Sequence, residues 1–258
     1  MPTPRQKPGW LASDKVKIFD ALLFNVAFLL IVWTFWLIEY AEPAIQIKQF
    51  GTRPRSVEGL IGILTTPFLH GSFDHIKGNS LSFLTLSSFL IFFYREIAFR
   101  VVGWLYLVSG IVLWFIAQGG NHIGASGVIY GLASFLFVSG IVRKDPVLLR
   151  VALAVAFLYG SIVWWILPIE PGVSWEGHLA GALVGAILAV VFRKKGPQRR
   201  RYRWEIEEEL EAQRENEEQA LSAELGEAAN GAHPSENNSS QPLYWKSDHT
   251  GDRPIRYN

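Results

Sequence analysis

Residues 175–192 read WEGHLAGALVGAILAVVF, and Arg193, Lys194 and Lys195 follow at once. Beyond Glu176 and His178 the run has no ionisable side chain. As a helix it would rise ~27 Å at ~1.5 Å per residue, close to the ~30 Å hydrocarbon core of a bilayer. Gly177, Gly181 and Gly185 recur every four residues and so form one ridge on which a second backbone can lie closely. A cationic flank directly after such a run marks its cytoplasmic side. The stretch predicts a membrane-crossing helix, packed through a small-residue seam, with His178 near the end opposite the lysines.

Five further apolar runs precede it, at 18–39, 75–94, 99–118, 124–142 and 147–167. Most lack the polar stripe of period 3.6 that a soluble helix needs, so the fold class expected is all-α, a six-helix membrane bundle. Composition agrees once it is segmented. Of 258 residues 50% are hydrophobic and 18% charged, yet 24 of the 47 Asp, Glu, Lys and Arg residues lie after position 192. The body carries about half the charge usual for a soluble chain, ~25%. The absence of cysteine excludes disulfide scaffolds, thiolate metal sites and cysteine nucleophiles. The first run exceeds a signal-peptide core of about 7–15 residues, and Tyr40-Ala-Glu-Pro-Ala offers no small-x-small cleavage site, so it is read as a retained anchor.

Lysine and arginine alternate between the two sides. Arg5, Lys7, Lys15 and Lys17 precede the first run, Arg95 and Arg100 join the second to the third, and Arg143, Lys144 and Arg150 join the fourth to the fifth. The connections at 119–123 and 168–174 have none. Both termini are therefore expected in the cytoplasm. The organisation expected is a cytoplasmic segment 1–17, a six-span body 18–192 and a cytoplasmic tail 193–258. The long outer loop 41–74 departs from the charge rule with Lys48, Arg53 and Arg55. Its apolar stretch 59–70 is too short to span; an interfacial or re-entrant helix and an ordinary loop helix both fit.

Polar groups are expensive in such a body, so their positions carry information. His70, His75, His122 and His178 all fall near the outer ends of the runs; His233 and His249 lie in the tail. His75 and Asn79, four apart, share a helix face. His-Glu-x-x-His is absent, and His70 and His75 are poorly spaced for two ligands on one helix, so neither a metal nor a cofactor is expected. The fourth run opens Gly124-Ala125-Ser126-Gly127. Ser126 is read either as a packing or capping residue or as a nucleophile at a helix N-terminus, where amide N–H groups could receive an oxyanion. Gly127 and Gly131 match the 177/181/185 ridge. If the two ridges pack, Ser126 and His178 meet just below the outer surface, and imidazole can act as general base to the hydroxyl.

Together these residues resemble the rhomboid family of intramembrane serine proteases over residues 18–192. The family combines His and Asn on one helix, Gly-x-Ser-Gly opening another, and Ala/Gly-His-x-x-Gly-x-x-x-Gly on the last. The resemblance implies Ser126 as nucleophile and His178 as base, a dyad without aspartate. It implies His75, Asn79 and the Ser126 N–H as oxyanion donors, Tyr130 packed on the imidazole, and His70 as structural support. Gly124, Gly127, Gly181 and Gly185 are supporting positions. His70, His75, Asn79, His122 and His178 are expected to line a polar cavity that admits water, with Asn121-His122 as a local variant of the loop before the serine. The family's Trp-Arg pair is missing from the outer loop, which reads Gly51-Thr-Arg53-Pro-Arg55. The implied partners are membrane lipid and single-pass transmembrane substrates, in a bacterial inner membrane. A catalytically silent rhomboid-like chaperone or adaptor and a transporter are the competing readings. The first should lose Ser or His, and the second should show repeats and proline-broken helices.

The tail begins with the basic cluster 193–203, suited to anionic lipid rather than nucleic acid. A solvated charged helix is expected at 204–225, where a cytoplasmic partner is a second possibility, and disorder is expected at 226–258.

Overall fold

A backbone that crosses lipid must satisfy its own N–H and C=O groups, which leaves helices as the economical solution for runs such as these. The computed structural model describes residues 10–170, 172–198 and 203–231, and among them it is helical with no strand beyond one isolated bridge, Thr52 to His122. The helices are α1 (Trp10–Ala41), α2 (Gly62–Thr65), α3 (Phe73–Ile116), α4 (Ser126–Val142), α5 (Pro146–Tyr159), α6 (Trp175–Val191) and α7 (Arg203–Gly231). Among the described residues three segments are long and apolar enough to cross a membrane: α1, α3, and α5 with the 3-10 helix Gly160–Ile166 that continues it. Helices α4 and α6 are shorter, 17 residues each. Large apolar side chains face outward, Phe157 at 89% exposure among them, as lipid-facing surfaces require.

The second and third runs are two helices, the two arms of α3, that meet at a sharp kink with no loop between them. Arg95, Glu96 and Ala98 are good helix formers, and the chain bends at Tyr94 alone, which leaves helical geometry at φ −124°, ψ 29°. A straight helix of this length would measure ~66 Å. Its two ends instead reach the same outer loop: Ser72 caps the start, while Trp114 near the other end donates its indole N–H to the Ser56 carbonyl at 3.0 Å. The two arms of α3 therefore double back at Tyr94.

The stretch 59–70 is not one regular helix. It is a chain of single turns, the 3-10 helices Glu58–Leu60 and Thr66–Phe68 flanking α2, folded against α3. Pro67 sits within the first two positions of the second 3-10 turn, in line with proline's preference for helix starts. The Tyr106 hydroxyl donates to the Leu64 carbonyl from α3. Arg55 donates to the carbonyls of Phe115, at 3.1 Å, and Ala117, at 2.6 Å, and so caps the C-terminus of α3.

The interior is closed by aliphatic and aromatic side chains of α3, α4, α5 and α6, including Phe83, Tyr94, Leu105, Leu132 and Phe135. Polar contacts lie at chosen points within it. Asn25, fully buried on α1, donates to Ser88 at 3.1 Å and accepts from Ser87 at 2.6 Å, joining α1 to α3. At the end of the body away from His70, buried Arg143 donates to Ser139 Oγ and to the carbonyls of Phe192, Lys195 and Pro197, which ties the exit of α6 to the end of α4. Asp145 caps α5 by accepting from the Val147 and Leu148 N–H groups.

Separately from this body, α7 is a glutamate-rich helix with an exposed Arg203–Glu207 pair at 3.2 Å. It runs to Gly231, so residues 226–231 are helical where disorder was expected. The expectation for 232–258, and the arginines at 199–201, lie outside the described residues, as do Arg5 and Lys7.

Candidate active site

Gly124 opens the site. Its φ of +114° is a conformation that side-chain-bearing residues avoid, and its N–H is held by the Thr66 carbonyl at 2.9 Å. The turn places Gly124 before α4 rather than in it, and the helix begins at Ser126. Ala125, at the cap position, has no side-chain oxygen, so no side chain caps the first amides of α4. A Cβ on Gly124 would lie 2.7 Å from His75 Nε2 and 3.4 Å from Asn79 Nδ2. These two nitrogens therefore converge on the space that Gly124 leaves open, two residues before the serine.

Both side chains come from the first arm of α3. Ser72 accepts the His75 N–H at 3.2 Å and starts the helix, and Asp74 in the first turn complements its dipole. One turn separates His75 from Asn79, which puts them on a common face.

The two glycine ridges do pack. A methyl on Gly181 would collide with the Gly127 carbonyl, and one on Gly185 with the Gly131 carbonyl. The contact is reciprocal, since Cβ atoms on Gly127 and Gly131 would lie 3.2 and 3.1 Å from the Gly177 and Gly181 carbonyls. This close approach sets α6 directly beside α4. Ser126, Tyr130, His178, His75 and Asn79 line one cavity of about 1180 Å³.

Ser174 starts α6 by accepting the Gly177 N–H, and one turn on, His178 is held from two sides. Its Nδ1 lies 2.8 Å from the Trp165 carbonyl. A carbonyl can only accept, so Nδ1 carries the proton and Nε2 is left as the basic nitrogen. The Tyr130 ring stacks on the imidazole at 4.1 Å between centroids and 7° between planes, and its hydroxyl donates to the Ile162 carbonyl at 2.8 Å. The stacked pair is thus tied twice to the 3-10 segment Gly160–Ile166. Ser126 Oγ and His178 make no hydrogen bond to each other in this geometry; they meet across the cavity.

His122 also lines the cavity, and both its ring nitrogens are engaged, with Ser174 Oγ at 2.6 Å and the Gly119 carbonyl at 2.8 Å. Its backbone pairs with Thr52 at 2.9 Å in both directions. His122 is therefore a strut between the outer loop, the 119–124 turn and the start of α6.

His70 departs from expectation. It does not line the cavity but sits behind its wall, 2% exposed, with Nε2 3.0 Å from Asn79 Nδ2 and its ring edge-on to His75 at 4.9 Å. The spacing that disqualified the two histidines on one helix does not apply, because His70 precedes α3. Burial first, then the neighbouring His75 charge, hold the His70 pKa down to about 4, with the Phe68 backbone offsetting part of this.

Comparison with known proteins agrees with this architecture. The Rhomboid domain family model matches residues 57–195. An uncharacterized protein of Mycobacterium tuberculosis is 31% identical over 194 residues, covering 71% of this chain and 77% of its own. The chain belongs to the rhomboid family. Another family resemblance is to the RHOMBOID-like protein 4 of Arabidopsis thaliana, 30% identical over half of this chain and a third of its own. An uncharacterized Mycobacterium leprae protein is 31% identical over 149 residues, 54% of this chain and 59% of its own. As a rhomboid, the chain is a multi-span helical membrane protein. Its Trp-Arg pair is missing, and Arg55 and Trp114 are among the residues that anchor the outer loop, in contacts that sequence reading missed. The signal available was Arg55 itself, a cation in a loop expected on the side where positive charge is disfavoured. Trp165 escaped notice because its backbone carbonyl, not its side chain, makes the contact.

Proposed function

We propose that this rhomboid is an intramembrane serine endopeptidase that cuts transmembrane helices near their outer end. The observation that carries the reading is the state of His178, whose Nδ1 is spent on the Trp165 carbonyl so that its basic nitrogen shares a cavity with Ser126. A backbone carbonyl here takes the orienting role that an aspartate has in a triad. Ser126 Oγ attacks the peptide carbonyl carbon while its proton passes to His178 Nε2. The negative oxygen that forms is received by His75, Asn79 and the uncapped amide of Ser126. Collapse expels the amine, which takes the proton from His178, and water then hydrolyses the acyl-enzyme. A substrate helix must unwind locally to present its bond, so glycine, serine or proline near the cut favours cleavage.

The organisation proposed is a cytoplasmic segment 1–17, a six-span body 18–192 and a cytoplasmic tail 193–258 whose basic start meets anionic lipid. Bacterial relatives support a place in the inner membrane. The test is cleavage of a reporter transmembrane helix in detergent. Ser126→Ala should abolish product while keeping the thermal unfolding midpoint, and a fluorophosphonate should label Ser126 in the wild type. Undiminished cleavage by Ser126→Ala would end the reading, and a folded wild type that neither cuts nor labels would favour a silent rhomboid-like adaptor.

A further inference from the structure

His70 is buried, off the cavity and in contact with both of the side chains whose nitrogens converge beside Gly124: it is hydrogen-bonded to Asn79 and edge-on to the His75 ring. An imidazole pressed into an apolar wall by packing alone would not need this arrangement. Asn79 Nδ2 is an amide nitrogen and can only donate, so His70 Nε2 must be the acceptor and the ring proton must sit on Nδ1. That Nδ1 makes no hydrogen bond of good geometry although it is buried. Polar groups in that state are uncommon and call for a reason. Here the reason is the tautomer: only with the proton on Nδ1 can Nε2 receive the amide.

An amide nitrogen has two N–H bonds. With one held by His70, the plane of the Asn79 side chain is fixed and its second N–H is left for another acceptor, while Nδ2 itself stays 3.4 Å from where a Gly124 side chain would begin. Rotated by half a turn, the amide would present its oxygen to His70 and change what it offers at the cavity, where a developing negative charge needs donors. We propose that His70 is a positioning residue for the cleavage reaction, acting through its neutral Nε2 to hold the Asn79 amide with an N–H toward the oxyanion, and steadying the His75 ring by edge-on contact. This rests on the serine-protease reading above and adds a residue that never touches substrate.

The experiment is a double-mutant cycle in the full-length protein, with cleavage of the reporter helix resolved into kcat and KM, beside thermal unfolding of every variant. His70→Ala should lower kcat by roughly the same factor as Asn79→Ala, on the order of a hundredfold, with KM little changed. The double variant should be no slower than Asn79→Ala alone, because the first residue acts only through the second. His70→Gln places an amide oxygen near the former Nε2 and should recover most of kcat. Effects that multiply in the double variant, or a folded His70→Gln as slow as Asn79→Ala, would overturn the proposal. Because His70→Gln keeps the volume and the acceptor, it serves as the deciding variant if His70→Ala unfolds. A wild type without Ser126-dependent cleavage would instead count against the protease reading.

Discussion

At the scale of single residues, the site depends on which nitrogen of each imidazole holds its proton. His178 gives its Nδ1 proton to a carbonyl, His122 is engaged at both nitrogens, and His70 accepts from an amide. His70 has a consequence for acid stability. Its folded pKa of about 4 lies below the ordinary 6.5, so between these values the unfolded chain binds more protons than the native one. Stability is full above pH 6.5 and declines as the pH falls, by about 3 kcal/mol at pH 4 from this residue alone. Thermal unfolding in detergent should therefore weaken between pH 6.5 and 4.5, and less steeply in His70→Gln; parallel curves would contradict this. Most of the candidate site was legible here. Ser126, His178, His75 and Asn79 were each a polar residue in an apolar setting. The fixing contacts were less so: the Trp165 and Ile162 carbonyls are common to every residue type, and the role of His70 depends on a loop whose path no periodicity announced.

At the scale of elements, packing is decided by glycine where helices touch and by lipid where they do not. Gly181→Ala should force α6 away from the Gly127 carbonyl, lowering stability by about 3 kcal/mol and nearly abolishing cleavage, since the separation pulls His178 from Ser126. Gly103 is the control. It lies on α3, where a methyl in place of its hydrogen would meet nothing within 4 Å, so Gly103→Ala should be neutral or stabilising by up to about 1 kcal/mol. The comparison needs only unfolding midpoints, and equal losses at the two positions would remove the packing account. The ridge spacing of four was readable in sequence because a helix face repeats at that interval. The absence of a loop between the two arms of α3 was not. Arg95 and Arg100 look like a polar turn, yet they already belong to the second arm, and the kink falls one residue earlier at Tyr94.

At the scale of the molecule, polar chemistry collects at one end and cationic anchoring at the other. Arg143 fastens the latter by taking up three carbonyls at the exit of α6. The proposed six-span topology, with both termini in the cytoplasm, can be checked without background labelling because the chain has no cysteine. Gly119→Cys, at a position with open space around it, should react with an impermeant thiol reagent added outside intact cells. Ser222→Cys on α7 should react only after the membrane is opened. The reverse pattern would invert the topology. The fold class could be read from composition because lipid imposes one solution on long apolar runs. The outer loop could not, since its turns are held by residues such as Arg55 and Tyr106 from contacts distant in sequence.

The bend at Tyr94 has a further consequence, for biogenesis. Two helices that meet at a kink without a loop need no separate hydrophilic connector at their junction. In the proposed topology Arg95, Glu96 and Arg100 stay on the side from which synthesis proceeds, and Arg95 meets Asp20 of α1 at 2.8 Å. The two arms can enter the bilayer together as a helical wedge. In that topology what must be carried across is short: the loop ahead of Phe73 and the few residues after Ile116 that lead to the serine.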